Sequence, residues 1–247
     1  MPSPTFHSNS LVDYPRASRS ALASLVLVAP LLLLYECGVL FQGGGAVRNG
    51  ADVLLRHGLS ALGLTQYFLL PLLTAAALAA WHHASRRKWT VSPVVVGGMA
   101  VECCLVAAAL ALAAQVSGAI VQSTTGETLG IPACSLAEAD SASRAVLFAG
   151  AGVYEEALFR LLLLSALAAA LVRCGMSRAP ALLLGVALSS LAFAAAHHVG
   201  PHGEAFAWYP FGFRCAAGCL FAGLFVTRGF GIAAGAHAGY DMLVGLG

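Results

Sequence analysis

The sequence predicts an all-α membrane protein, a polytopic transmembrane bundle of about seven helices. Three observations support this fold class. Hydrophobic residues make up 59% of the 247 residues and only 10% are charged, whereas soluble globular chains carry about a quarter of charged residues. The mean hydropathy is +0.83. Apolar runs of about 20 residues, the length that crosses a bilayer as a helix, recur along the chain.

Seven apolar segments are candidate spans. In chain order they are Ala21–Phe41, Ala61–Trp81, Val94–Ile120, Ala145–Val172, Ala179–Ala196, Phe211–Thr227 and Phe230–Leu246. Runs of this length are helices rather than barrel strands, because a helix satisfies its own backbone hydrogen bonds inside the membrane. The last two segments are short, and only Arg228 and Gly229 separate them. If either is re-entrant, the C-terminus moves to the other face of the membrane.

The chain divides into a tail and two helical parts. Residues 1–20 are polar and rich in Pro and Ser, which predicts a disordered N-terminal tail. The apolar run that follows is too long for the core of a signal peptide and is interpreted as a retained span. Residues 21–143 then supply the N-terminal helices and loops, and residues 144–247 form the helical core that carries the polar motifs.

Basic residues fall unevenly on the two predicted faces of the membrane. On the N-terminal side lie Arg16, Arg19, Arg86, Arg87, Lys88, Arg173, Arg178 and Arg228, and on the other side Arg48, Arg56, Arg144 and Arg214. Loops rich in Lys and Arg stay in the cytoplasm, so the N-terminus is predicted to be cytoplasmic. The net charge of +2 is too small to indicate a nucleic-acid partner.

Six charged residues remain inside the predicted spans: Glu36, Glu102, Glu155, Glu156, Arg160 and Asp241. A charged side chain at the bilayer centre costs about 2.5 to 3.5 kcal/mol on insertion scales, so each needs a partner or a function. Glu36 and Glu102 could join a polar cluster or bond to backbone in a protonated form.

The segment VYEEALFRLLLL, Val153 to Leu164, holds three of these charges. Glu156 and Arg160 are four residues apart with the acid first, which is the favourable spacing for an ion pair on one helix. Glu155 has no such counterion, and it is therefore the candidate general base. We expect Glu156 to lie on Arg160 and outside any cavity around Glu155.

Two later segments place histidines where they could meet Glu155. FAAAHH ends the fifth span with His197 and His198, and HAGYD places His237 and Asp241 four apart, on one helical face. Ionisable residues within membranes mostly face the interior of a bundle. We therefore expect the side chains of Glu155, His197, His237 and Asp241 to surround one cavity large enough for water. By position alone, His198 is as suitable as His197.

The three motifs occur in a recognisable order. EEALFR fits the pattern EExxxR, FAAAH fits FxxxH, and HAGYD fits HxxxN/D. With them the chain resembles the CPBP intramembrane protease family, also called the Abi family, which includes CAAX prenyl proteases and lysostaphin-resistance and bacteriocin-protection proteins. The resemblance covers Tyr154 to Asp241. It implies an intramembrane endopeptidase in the bacterial plasma (inner) membrane, acting on a membrane-embedded or lipid-modified peptide or protein.

The resemblance also implies roles for the motif residues. Glu155 with His197 would activate the attacking water, and His237 with Asp241 would stabilise the tetrahedral oxyanion. The pair of Glu156 and Arg160 would hold the motif helix in place. The family's third motif often ends in Asn. An ionised Asp241 would repel an oxyanion, so it must be protonated, paired with His237 or bound to a metal.

Two chemical mechanisms remain open. If a metal is present, Glu155, His197, His237 and Asp241 are its candidate ligands, and two histidines with a carboxylate are a suitable Zn²⁺ set that leaves a position open for water. The HExxH pattern of soluble metalloproteases is absent. In the metal-free version, which we favour slightly, Glu155 and His197 polarise the water directly. No cofactor is therefore predicted with certainty.

Other classes of function use the same residues. A proton-coupled transporter or channel could employ a buried Glu/His relay, although the sequence contains no paired broken helices or inverted repeats. A non-catalytic membrane protein is a third interpretation. Within the protease interpretation, His197 lies near the non-cytoplasmic end of its span. This position argues mildly against a cytoplasmic prenylated substrate.

Overall fold

The computed structural model describes residues 14–43, 48–126, 140–200 and 203–246, and their regular secondary structure is entirely helical. The helices are α1 (Tyr14–Ser18), α2 (Ala21–Gln42), α3 (Gly50–Ala61), α4 (Leu69–Ala84), α5 (Pro93–Thr125), α6 (Ser141–Gly150), α7 (Ser165–Arg173), α8 (Arg178–Ala196), α9 (Trp208–Arg228) and α10 (Phe230–Leu246). Two π-helical segments, Ala151–Glu155 and Ala157–Leu164, lie between α6 and α7. The predicted all-α membrane class is confirmed.

The predicted count of about seven helices is not confirmed. Among the described residues, four helices are long and apolar enough to cross a membrane, namely α2, α5, α8 and α9. The second predicted span is wrong at its start. Residues up to Ala61 belong to α3, and α4 begins only at Leu69 because Gly63 turns the chain with a φ of 78°. The fourth predicted span is helical throughout but changes type at the π-helical segments.

The predicted disordered tail is also wrong in part. Tyr14–Ser18 form α1, and residues 1–13 lie outside the described residues. The Tyr14 hydroxyl donates to Glu102 at 2.8 Å, and the Arg228 guanidinium makes two hydrogen bonds of 2.7 Å to the same carboxylate. The half-buried acid of α5 is thus neutralised by α9, and α1 covers the pair. The predicted division between residues 143 and 144 stays a prediction.

Helix α10 lies at the centre of the bundle. Its side chains from Phe230 to Ala238 are mostly small and almost fully buried. It packs against α2, α5, α6, α9 and the first π-helical segment. Small residues permit such close helix approach in a membrane. One approach requires glycine, because a Cβ atom built on Gly152 would lie 2.6 Å from both the Ala234 carbonyl oxygen and the Ala238 Cβ.

We expect Gly152→Ala to lower the free energy of unfolding by about 1 to 3 kcal/mol, because the added methyl group would push the π-helical segment away from α10. Thermal melting of the purified protein in detergent would measure the change. The matched control is Gly97→Ala, since a Cβ on Gly97 meets nothing within 4 Å. An equal melting temperature for the two variants would contradict this packing argument.

Candidate active site

Three helical segments bring the predicted polar residues together. Glu155 ends the first π-helical segment, His197 is the C-cap residue of α8, and His237 and Asp241 lie on α10. π-Helical turns within α-helices are uncommon and often occur at functional sites. Here the wider turn carries the first of the two adjacent glutamates into the space between α8 and α10.

The distances between these groups are short but exceed direct hydrogen bonds. Glu155 Oε2 lies 3.9 Å from His197 Nε2 and 3.8 Å from His237 Nε2. His237 Nε2 is 3.5 Å from Asp241 Oδ2. Polar atoms at such separations can be bridged by a water molecule. The structure thus brings all four predicted side chains around one point, with Glu155 Oε2 facing both imidazoles.

The outer nitrogen of each imidazole is held in place. His197 Nδ1 lies 2.8 Å from the Phe193 carbonyl oxygen, and His237 Nδ1 lies 2.8 Å from Glu156 Oε1. A carbonyl or carboxylate oxygen only accepts, so Nδ1 carries the proton in both contacts. In the neutral rings each Nε2 is therefore an acceptor directed at Glu155.

Glu156 makes a second contact in addition to the expected ion pair. Glu156 does pair with Arg160, with 3.1 Å between its Oε1 and Arg160 Nη1, and both side chains are fully buried. The same Oε1 also accepts from His237. Glu156 is thus a positioning residue for the His237 ring as well as a partner of Arg160. The spacing within the motif predicted the ion pair but could not predict a contact across 81 residues.

Aromatic rings surround both histidines. Phe221 stacks on His237 with ring centroids 4.6 Å apart, and Phe193 contacts His197 and His237 edge-on at 4.9 and 5.7 Å. The Arg160 guanidinium lies 4.5 Å above the Phe193 ring and donates to the Gly218 carbonyl oxygen at 3.1 Å. These contacts fix the planes of the imidazoles and connect α8, α9 and α10 around the ion pair.

Asn49 is a contact of Glu155 that sequence reasoning missed. Its Nδ2 donates to Glu155 Oε1 at 2.8 Å. Asn49 is also the N-cap residue of α3, and its Oδ1 accepts from the Ala51 amide at 2.8 Å. An Asn directly before a helical segment is a recognisable capping signal. Nothing in the local sequence, however, reveals a partner 106 residues away.

The geometry decides between the two adjacent histidines. His198 Nδ1 bonds to the Glu204 carbonyl oxygen at 3.0 Å, and its ring packs on Phe206 and Phe211. It therefore faces the connection between α8 and α9, whereas His197 faces Glu155. The Arg214 guanidinium binds both Glu204 oxygens at 2.7 and 2.8 Å, which ties α9 to this connection.

Glu36 does not join the cluster. Its carboxylate accepts from Arg56 at 3.2 Å and from the Tyr154 hydroxyl. Arg56 also donates to Asp52 at 2.6 Å, as Arg48 does at 2.7 Å. These pairs neutralise Asp52, which is fully buried. Together these residues form a charged network that is separate from the cluster of Glu155, His197, His237 and Asp241.

The cluster around Glu155 contains possible metal ligands. Two Nε2 acceptors and a carboxylate oxygen are ligand types that Zn²⁺ uses, and their anchored Nδ1 atoms match the usual outer contacts of ligating histidines. However, no three His, Cys, Asp or Glu side chains among the described residues are spaced to hold an ion. In this arrangement the described side chains do not form a metal site, and the dependence of the reaction on a metal stays a prediction.

These observations define an integral membrane protein with a polar site enclosed by its helices. Residues 141–243 match the family model described as type II CAAX prenyl endopeptidase Rce1-like. The match confirms the resemblance to the CPBP and CAAX protease family that the three motifs indicated. Searches of curated proteins and of solved structures each returned no significant match.

We expect Glu156→Ala to lower the free energy of unfolding by about 3 to 5 kcal/mol, because Arg160 would keep a fully buried charge without its carboxylate. The double variant Glu156→Ala/Arg160→Met removes both charges and should recover much of this loss. Thermal melting would measure both variants.

A double variant no more stable than Glu156→Ala would contradict the assignment of the loss to an unpaired Arg160. The second function of Glu156 has its own readout. The His237 ring should lose its fixed orientation in both variants, since His237 Nδ1 has lost its acceptor in both.

Proposed function

We propose that the protein is an intramembrane endopeptidase in which Glu155 and His197 activate a water molecule. One observation carries this proposal. Glu155 Oε2 is buried and has no hydrogen-bond partner among the described residues, yet it faces two imidazole Nε2 atoms at 3.8 and 3.9 Å. A buried polar atom left unpaired is costly. A water molecule between Oε2 and His197 Nε2 would satisfy both atoms and be positioned for reaction.

The reaction follows from general acid–base chemistry. Glu155 Oε2 accepts a proton from the water while the water oxygen attacks the carbonyl carbon of the peptide. The C–N bond then breaks, and the proton passes to the leaving amine. His197 Nε2 orients the water, since its Nδ1 is held on the Phe193 carbonyl. The products are a carboxylic acid and an amine, so one water molecule accounts for all atoms.

His237 is the proposed stabiliser of the tetrahedral oxyanion. To donate to an oxyanion, Nε2 must carry a proton, so the ring must be doubly protonated. The Glu156 carboxylate at 2.8 Å from Nδ1 favours that form. Asp241 Oδ2 lies 3.5 Å from His237 Nε2. The alternatives for Asp241 were protonation, pairing with His237 and metal binding. This distance supports pairing with His237.

The side-chain exposure indicates the direction from which substrate enters. It falls from 27% at His197 and 22% at Asp241 to 12% at Glu155 and 4% at His237. The site therefore opens at the face of the bundle where α8 ends. The family match implies a membrane-associated peptide substrate. We propose that a membrane-embedded or lipid-modified peptide enters from this face as an extended segment.

We expect Glu155→Gln and His197→Ala each to reduce kcat/KM for a membrane peptide by about 10²- to 10⁴-fold, because each removes a group that acts on the water. The measurement is peptide cleavage by purified protein in lipid nanodiscs, with melting temperature as the test of folding. The control variants are Glu102→Gln and His83→Ala, which change the same residue types away from the site. Folded controls should cleave at nearly the wild-type rate.

Cleavage that survives in Glu155→Gln would refute the proposed base. Proton-coupled transport by a wild-type protein that cleaves no peptide would instead favour the transporter hypothesis. Metal analysis of the same preparation, with and without chelator, separates the two chemical mechanisms. Unchanged activity after complete metal removal supports the metal-free mechanism. A loss of activity that only added Zn²⁺ reverses supports the metal-dependent mechanism.

The cytoplasmic N-terminus and the bacterial inner membrane location remain proposals that rest on charge distribution and on the family. With seven crossings, a fluorescent protein fused before residue 1 should fluoresce, and alkaline phosphatase fused after residue 247 should be active in the periplasm. An inactive phosphatase at that position would indicate an even number of crossings or the opposite orientation.

A further inference from the structure

The Glu155 carboxylate has two oxygens in different surroundings. Oε2 faces the two histidines, while Oε1 accepts a hydrogen bond of 2.8 Å from Asn49 Nδ2. Asn49 lies before α3, in the part of the chain that precedes residues 141–243 matched by the family model. A residue outside the three motifs thus contacts the proposed base directly.

The amide group of Asn49 cannot rotate freely. Its Oδ1 accepts from the Ala51 amide at 2.8 Å, and its backbone carbonyl accepts from Val53 at 3.0 Å. Its own backbone N–H donates to the Tyr35 hydroxyl at 3.2 Å, and that hydroxyl donates to the fully buried Asp52 at 2.8 Å. Since Oδ1 is engaged by the helix N-terminus, the NH₂ group must point away from it, toward Glu155.

This arrangement determines which oxygen of Glu155 is available for chemistry. With Oε1 held by Asn49, the carboxylate can turn only by giving up a charge-assisted hydrogen bond, the stronger kind. Oε2 is then held at 3.8 to 3.9 Å from both Nε2 atoms. A displacement of about 1 Å at a reacting group can reduce a rate about 10²-fold. The cap of α3 therefore controls the geometry of the water site.

We propose that Asn49 is a positioning residue of the active site, which orients Glu155 by its side-chain NH₂ and through which the N-terminal helices take part in the reaction. This inference rests on the proposed peptidase function for its kinetic consequence. The hydrogen bond itself does not depend on that function.

Asn49→Asp separates this role from helix capping. Asp caps a helix N-terminus as well as Asn does, so α3 should be preserved. The melting temperature should fall only through repulsion between the two carboxylates that now face each other. The variant replaces the donor with an acceptor 2.8 Å from Glu155 Oε1. We expect kcat to fall about 10- to 100-fold while KM stays nearly unchanged, because the substitution removes a contact that supports Glu155 and removes no contact with the substrate. Wild-type kcat in a folded Asn49→Asp variant would show that Asn49 only caps the helix.

Asp140→Asn is the matched control. Asp140 is the N-cap residue of α6 and accepts from the Ser143 amide at 2.7 Å. The exchange between Asp and Asn at this exposed cap should leave kcat unchanged. Asn49→Ala removes the cap and the donor together, and it should lower both kcat and the melting temperature. An Asn49→Ala variant that melts lower but keeps full kcat would refute the positioning role.

A second readout needs no activity. The infrared carboxylate band of Glu155 can be isolated by subtracting the spectrum of Glu155→Gln. This band should shift in Asn49→Asp and Asn49→Ala and stay in place in Asp140→Asn. An unshifted band overturns the proposed contact. If the band shifts in the two Asn49 variants but the wild-type protein cleaves no peptide, only the peptidase function is refuted. Asn49 then remains the partner of Glu155.

Discussion

The buried ion pair between Glu156 and Arg160 is the interaction on which the rest of the site depends. Both side chains are fully excluded from solvent, where an unpaired charge would be very costly. The pair is also connected outward, since Arg160 binds the Gly218 carbonyl of α9 and Glu156 binds His237 of α10. Charge neutralisation therefore holds three helices in register.

This pair allows Glu155 to remain incompletely bonded. Rigid neighbours fix the imidazoles by their Nδ1 atoms and by the stacked Phe221 ring. Glu155 Oε2 is left facing Nε2 atoms beyond direct hydrogen-bond distance. A bundle that satisfied every polar atom would be more stable but would leave no place for water. In the proposed mechanism the adjacent glutamates thus take opposite roles: Glu156 stabilises the structure, and Glu155 is available for reaction.

The N-terminal helices do more than complete the bundle. The acids of α2 and α3 are neutralised by Arg48 and Arg56. Next to these ion pairs, Asn49 donates to Glu155. The family match begins at residue 141. The residue that supports the proposed base, Asn49, accordingly comes from a part of the chain that lies before the three motifs.

The sequence by itself determined the membrane class, the all-helical fold and the pairing of Glu156 with Arg160, because these follow from hydropathy and from spacing along one helix. It also indicated His197, His237 and Asp241 as candidates. Tertiary structure alone decided that His197 rather than His198 faces Glu155, that Glu156 contacts His237 and that Asn49 joins the site. Each of these depends on the rotation and depth of one helix against another, and local periodicity contains no information on either.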